Sequence, residues 1–155
     1  MPETPDVPDA LPAKLAQTID ALSLVADRAE RIQTLIDLAS RFEEVPPEIA
    51  RRPFPTVNQV PACESEAYMF EERKPDGTIQ YHFAVENPQG ISAKALAVIL
   101  ADTLSGAPPE EVAQVQPDII YRIFGPELSM GKSMGLMGMV GMVQAAAKKA
   151  LEKGR

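Results

Sequence analysis

Residues 66–86 read EAYMFEERKPDGTIQYHFAVE, and this stretch decides the fold. Two aromatic-rich runs, Glu66–Lys74 and Thr78–Glu86, flank Pro75-Asp76-Gly77. An Asp-Gly pair between such runs is a strong hairpin signal, because glycine takes the positive φ that a tight turn needs. In the second run Ile79, Tyr81, Phe83 and Val85 alternate onto one face, so that face is expected to be buried. His82 falls on the opposite face and reads as a solvated strand residue. Just upstream, Val60 and Pro61 could add a short third strand.

Helices are expected on both sides of the hairpin. Downstream, Ser92–Leu104 places Leu96, Ile99, Leu100 and Thr103 on one side, and Ser105-Gly106 followed by Pro108-Pro109 ends it. Pro109–Val112 and Asp118–Phe124 read as short helical turns, and Lys132–Lys153 as a long helix whose late lysines suit its negative end. Upstream, Pro12 can open a helix over AKLAQTIDALSLVA. Asp27 and Glu30 resemble a capping box for a second helix, Arg28–Phe42, with Ile32, Leu35, Ile36, Ala39 and Phe42 as its apolar stripe. Between these helices and the hairpin, Val45–Val57 carries Pro46, Pro47, Pro53 and Pro55, which excludes helix and central strand alike. This order predicts a single α+β domain over residues 11–155, with helices packed on one face of a small antiparallel sheet. Met1–Ala10, with three prolines and three acids, reads as a disordered leader without the features of a signal or transit peptide.

Composition narrows the function. The chain of 155 residues has 15 Lys plus Arg against 22 Asp plus Glu, a net charge of −7 that argues against nucleic acid or an anionic membrane as partner. Its longest purely apolar run, Ala95–Ala101, is too short to span a bilayer. One Cys and one His exclude a disulfide framework and a metal site built from several thiolates, so no metal is expected. A lone thiol suits a reducing compartment, and the cytoplasm is the expected location.

Cys63 is the residue with the most chemistry to offer. A free cysteine is often a small core hydrophobe. Here Pro61 precedes it and Glu64, Ser65 and Glu66 follow, which describes a loop tip, where a sole cysteine can be a nucleophile or a redox sensor. A hydrolytic role needs a base, and His82 is not placed for one by strand alternation. The anionic neighbours Glu64 and Glu66 provide no local cation, so reactivity is expected to depend on a docked partner. Five methionines between Met130 and Met142 alternate with Gly131, Gly135, Gly138 and Gly141. This reads first as a buried helix whose glycines let another backbone approach closely, and second as an adaptable docking surface. Lys94 and Lys132 sit in first helical turns, where a cation opposes the dipole, and such breaches of a local rule often mark a site.

Taken together, the chain from about Leu22 to Ala150 resembles the SufE family of sulfur acceptors. The resemblance runs through Arg31–Leu38 (RIQTLIDL), Asn58–Ser65 (NQVPACES, similar to N-x-V-x-G-C-x-S), Ala93–Leu96, Leu104–Pro108 and Leu128–Leu136 (LSMGKSMGL, similar to L-[ST]-x-x-R-x-x-G-L). It implies a SufE/IscU-like fold, with Cys63 as persulfide carrier and Lys132 as anion-stabilising support. It further implies a pyridoxal-phosphate-dependent cysteine desulfurase as partner, an iron–sulfur scaffold complex downstream, and no cofactor on this chain. Three positions depart from the family pattern. Tyr68 replaces Trp and keeps an aromatic body, whereas Lys132 replaces Arg and loses the planar fork. Ala62 stands where Gly is usual, which is expected to confine the loop to ordinary backbone angles. Two other classes compete, a noncatalytic desulfurase-binding module and a single-cysteine redox sensor.

Overall fold

The face of the hairpin carrying Ile79, Tyr81, Phe83 and Val85 is buried as alternation predicts, and Phe70 and Ala84 on the other face are buried as well. In the structure, a computed structural model describing residues 11–153, β1 (Ala67–Arg73) pairs antiparallel with β2 (Ile79–Val85). Asp76 tightens the turn by accepting from the Thr78 N–H at 2.9 Å and its hydroxyl at 2.6 Å, and Gly77 takes φ +90°. Register pairs Ala67 with Val85 and Met69 with Phe83, so these residues share a buried face with Tyr81 and Ile79. The third strand is not formed. Gln59 makes only an isolated bridge to Tyr68, because the chain turns at Pro61 after one more bond, Val60 N–H to the Ala67 carbonyl.

The buried face packs on α3 (Ile91–Leu104), which is apolar nearly all round and therefore sits centrally, against α1 (Ala13–Ser23), α2 (Arg28–Ala39) and β2. Two short helices, α4 (Pro109–Val112) and α5 (Ile119–Phe124), lead to α6 (Met130–Lys153), which contacts β1, α3, α4 and α5. The α+β arrangement, one domain with helices on one face of a two-stranded sheet, is as expected. No helix among the described residues is long and apolar enough to cross a membrane. The expected leader, residues 1–10, lies outside the described residues.

The proline-rich segment covers part of the other face. Val45 and Phe54 bury against Phe70 and Ala84, with the Phe54 ring 5.2 Å from Tyr68 and 5.4 Å from Phe70. Arg52 clamps this segment, giving both terminal nitrogens to Glu44 at 2.6 Å and its Nε to Glu86 at 2.7 Å. Val45 N–H reaches the Phe83 carbonyl, while Ser105 Oγ and Gly106 N–H serve the Tyr81 N–H and the Ile79 carbonyl. The second strand's free edge is thereby largely satisfied without a third strand.

Some boundaries shift. The first helix ends at Ser23 and the second at Ala39, three residues before Phe42, while the last begins at Met130. Asp27 caps α2 by accepting from Ala29 N–H, with no return bond from Glu30 among the described residues, so a single cap replaces the box. The α2 stripe is only partly buried: Leu35 and Ala39 are covered, whereas Ile32 and Ile36 are 49% and 40% exposed. Its apolar width exceeds the surface that the neighbouring helices offer.

Candidate functional site

The loop bearing Cys63 is anchored on both sides. On its entry side a short 3-10 turn, Thr56–Asn58, aims the Asn58 side-chain amide at the Met69 carbonyl, 2.8 Å away, and buried Val60 bonds to Ala67. On its exit side the Glu66 N–H donates to the Cys63 carbonyl, and the Ser65 and Glu66 carbonyls accept from Asn87 and Glu86. Cys63 is half-buried at the tip and packs against the main core. The loop-tip placement read from its flanks is correct.

Ala62 does not keep to ordinary angles. It takes φ +58°, in the left-handed region, and Glu66 takes φ +54°, so non-glycine residues hold this conformation on both sides of Cys63. The expectation that alanine would restrict the loop is therefore corrected: the anchors on both sides impose the backbone, and Ala62 bears the steric cost. That cost is on the order of 1–2 kcal/mol for an L-residue, partly offset because glycine loses more entropy on folding. Ala62→Gly is expected to stabilise the protein by about 0.5–1 kcal/mol, read as a raised urea midpoint. An unchanged or lowered midpoint would contradict this account.

Glycines bring the last helix against the loop. A Cβ built on Gly135 would lie 2.9 Å from Cys63 Cα, and one on Gly138 3.0 Å from the Pro61 carbonyl oxygen. The close backbone approach inferred from the Met/Gly pattern is thus real, and the approaching backbone is the cysteine loop itself. The methionines divide: Met139 is fully buried, while Met130 and Met134 are exposed at the start of the helix.

Cys63 and Lys132 line one cleft of about 200 Å³ with Glu64, Ser65 and the first residues of α3 and α6. Ser129 Oγ caps α6 by accepting from the Lys132 N–H, and among the described residues the Lys132 ammonium makes no ion pair. Two helix N-termini and the Lys132 ammonium thus share this cleft with the Glu64 carboxylate. The sequence reading set Lys94 and Lys132 each against the dipole of its own helix, but not the meeting of two helix ends at Cys63. Lys94, flagged beside Lys132, instead turns its ammonium to the Pro88 carbonyl at 3.4 Å and supports the loop preceding α3.

His82 lies elsewhere. Its Nε2 sits 2.9 Å from Glu72 Oε1, with the ring 16% exposed, so it is more sheltered than a solvated strand residue. Hydrogen bonds from His82 and then Lys74 hold the Glu72 carboxyl below its ordinary range. The depression that His82 lines contains Phe42 and Asp102 but not Cys63. His82, set aside as a base by alternation, is not among the residues lining the Cys63 cleft, whose titratable side chains besides the thiol are Glu64 and Lys132.

Comparison with known proteins agrees with this architecture. A solution structure of a hypothetical protein from Thermus thermophilus superposes with a TM-score of 0.70 at 24% identity, covering 92% of this chain and 98% of that one; the fold is shared. The cysteine desulfuration protein SufE of Plasmodium vivax is 26% identical over 149 residues, 93% of this chain and 57% of that protein. The chain thus spans somewhat over half the length of that curated relative. The family model described as "SufE: Fe-S metabolism associated domain" matches residues 16–147, and by that match the chain belongs to the SufE family.

Proposed function

We propose that this protein is a sulfur acceptor and carrier working with a pyridoxal-phosphate-dependent cysteine desulfurase. The Cys63 thiolate attacks the terminal sulfur of the donor's cysteine persulfide. A sulfur–sulfur bond forms at Cys63 as the donor's sulfur–sulfur bond breaks, and the donor cysteine leaves as thiolate. The step is an exchange without net oxidation. It clears the desulfurase for another turnover, and the sulfur then passes to an iron–sulfur scaffold complex. Carbon–sulfur cleavage stays with the partner and its cofactor, since a carrier of this kind needs only a thiol. A reducing cytoplasm keeps that thiol available between transfers.

The observation that carries this reading is the placement of Cys63, the chain's sole cysteine, at the half-buried tip of an anchored loop, in a cleft it shares with Lys132 and two helix N-termini. Intact mass after incubation with a desulfurase and cysteine tests it: one added sulfur located on Cys63 is expected. Desulfurase stimulation with no added mass would favour the noncatalytic module. Sulfenic acid or mixed disulfide formed without a desulfurase would favour the redox sensor.

Lys132 supports the persulfide anion from the same cleft. Its side chain is exposed, so solvent screens the attraction to no more than about 1 kcal/mol, or roughly fivefold in rate. Lys132→Ala is therefore expected to slow sulfur uptake a few-fold, and Lys132→Arg to preserve it, both read in single-turnover transfer. Transfer by Lys132→Ala at the original rate would make it an ordinary surface lysine.

A further inference from the structure

We propose that Gly135 is a positioning residue for Cys63, and that α6 forms a glycine-lined seat setting how deeply the cysteine loop rests. The functional consequence rests on the sulfur-carrier reading, but the seat itself can be tested without a desulfurase.

The loop meets the helix through backbone. A Cβ on Gly135 would stand 2.9 Å from Cys63 Cα, 3.2 Å from the Ala62 carbonyl oxygen and 3.3 Å from Cys63 Cβ. The first two are main-chain atoms that no rotamer change can move aside. Gly138, on the same face, would meet the Pro61 carbonyl oxygen at 3.0 Å and Val60 Cγ1 at 3.2 Å. Gly131 would meet only the flexible Glu64 carboxylate, at 3.0 Å, and Gly141 has nothing within 4 Å. The fit is thus tightest at Gly135 and fades toward both ends of the row. From the other side Gly90, which caps α3, admits Ser65, whose Oγ would be 2.8 Å from a Cβ there.

This fit accounts for the loop's backbone. Two non-glycine residues at positive φ, Ala62 and Glu66, persist only where the surroundings over-determine them. It also accounts for glycine in the middle of a helix, where alanine is intrinsically better. Seated, Cys63 forms a wall shared by the Lys132 cleft and an open depression beside Thr56 and Gln59. Displacing the loop from α6 opens that wall and exposes the thiol.

The test is the rate of Cys63 alkylation by iodoacetamide in the free protein, at fixed pH and well below the melting temperature. A methyl forced against backbone shifts the seated-to-displaced ratio by about tenfold. Gly135→Ala is therefore expected to react about tenfold faster than wild type, and Gly138→Ala about threefold faster. Gly141→Ala, where a methyl meets nothing, should match wild type. Val140→Ala, which hollows the core on the same helix, separates seating from general loosening. The graded order with a wild-type-like rate for Val140→Ala supports the seat. A wild-type rate for Gly135→Ala, or Val140→Ala reacting as fast as Gly135→Ala at equal stability loss, overturns it. Should Gly135→Ala fail to fold, Gly138→Ala against Gly141→Ala decides alone, equal rates overturning the seat. If no variant acquires sulfur from a desulfurase while the alkylation order stands, the carrier reading fails and the seat survives.

Discussion

Cys63→Ser is expected to abolish sulfur uptake while leaving the fold intact. Serine nearly matches cysteine in shape, and a half-buried loop position tolerates the exchange, so stability should change by no more than about 1 kcal/mol. Chemistry is not so tolerant. Transfer needs a thiolate to attack a sulfane sulfur, and the serine hydroxyl is neither ionised near neutral pH nor able to hold sulfur in an exchangeable sulfur–sulfur bond. No second cysteine exists in the chain to substitute. Uptake measured by intact mass should fall to background, and stimulation of desulfurase turnover should fall with it. A variant that still stimulated the enzyme like wild type would remove the carrier role and leave docking as the activity. The melting curve belongs in the same experiment, because loss of both folding and uptake would not speak to chemistry.

What was legible in the sequence was mostly local. Asp76-Gly77 carries its own turn geometry, and Ile79, Tyr81, Phe83 and Val85 carry their own alternation, so the hairpin and its buried face follow from neighbouring residues. The prolines of 45–57 likewise excluded regular structure by what each ring forbids. That this segment places Phe54 against Tyr68 and Phe70, on the far face of the sheet, depends on contacts between distant parts of the chain. No local rule states them. The same limit explains Ile32 and Ile36, whose spacing suits a core stripe but whose burial depends on the extent of neighbouring helices.

The site divides in the same way. Cys63 stood out through its polar flanks and through resemblance, and the helix glycines correctly signalled close backbone approach. Their convergence was not legible, because nothing in GKSMGLMG names the backbone that approaches it. Ala62 misled for an energetic reason: the left-handed region costs an alanine only on the order of 1–2 kcal/mol, and the bonds of Asn58, Val60, Ser65 and Glu66 outweigh that. A local preference of this size predicts backbone only where nothing larger acts.

Arg31 presents the second large expected effect, and its role is invisible in sequence. It lies in the first turn of α2, where a cation opposes the dipole of its own helix. Its guanidinium instead serves two other helices. One terminal nitrogen donates to the Leu22 carbonyl of α1 at 2.9 Å; the other donates to the Arg122 and Ile123 carbonyls of α5, at 2.7 and 2.8 Å. These carbonyls belong to helix C-termini, which carry partial negative charge, and the Leu22 carbonyl also accepts from the Val25 N–H at 3.1 Å. One planar fork thus ties α2 to the ends of α1 and α5, a span that the compact ammonium of lysine cannot reproduce. Charge-assisted bonds contribute roughly 1.5–3 kcal/mol each when removed singly. Three sharing one group are not additive, and water can reach some of the carbonyls, so Arg31→Ala is expected to cost about 3 kcal/mol. Arg31→Lys should recover less than half of that. Urea denaturation with an unchanged slope is the measurement. A loss below about 1 kcal/mol for Arg31→Ala would mean that solvent satisfies these helix ends unaided. Recovery to wild-type stability by lysine would show that charge alone, not the fork, holds the three helices together.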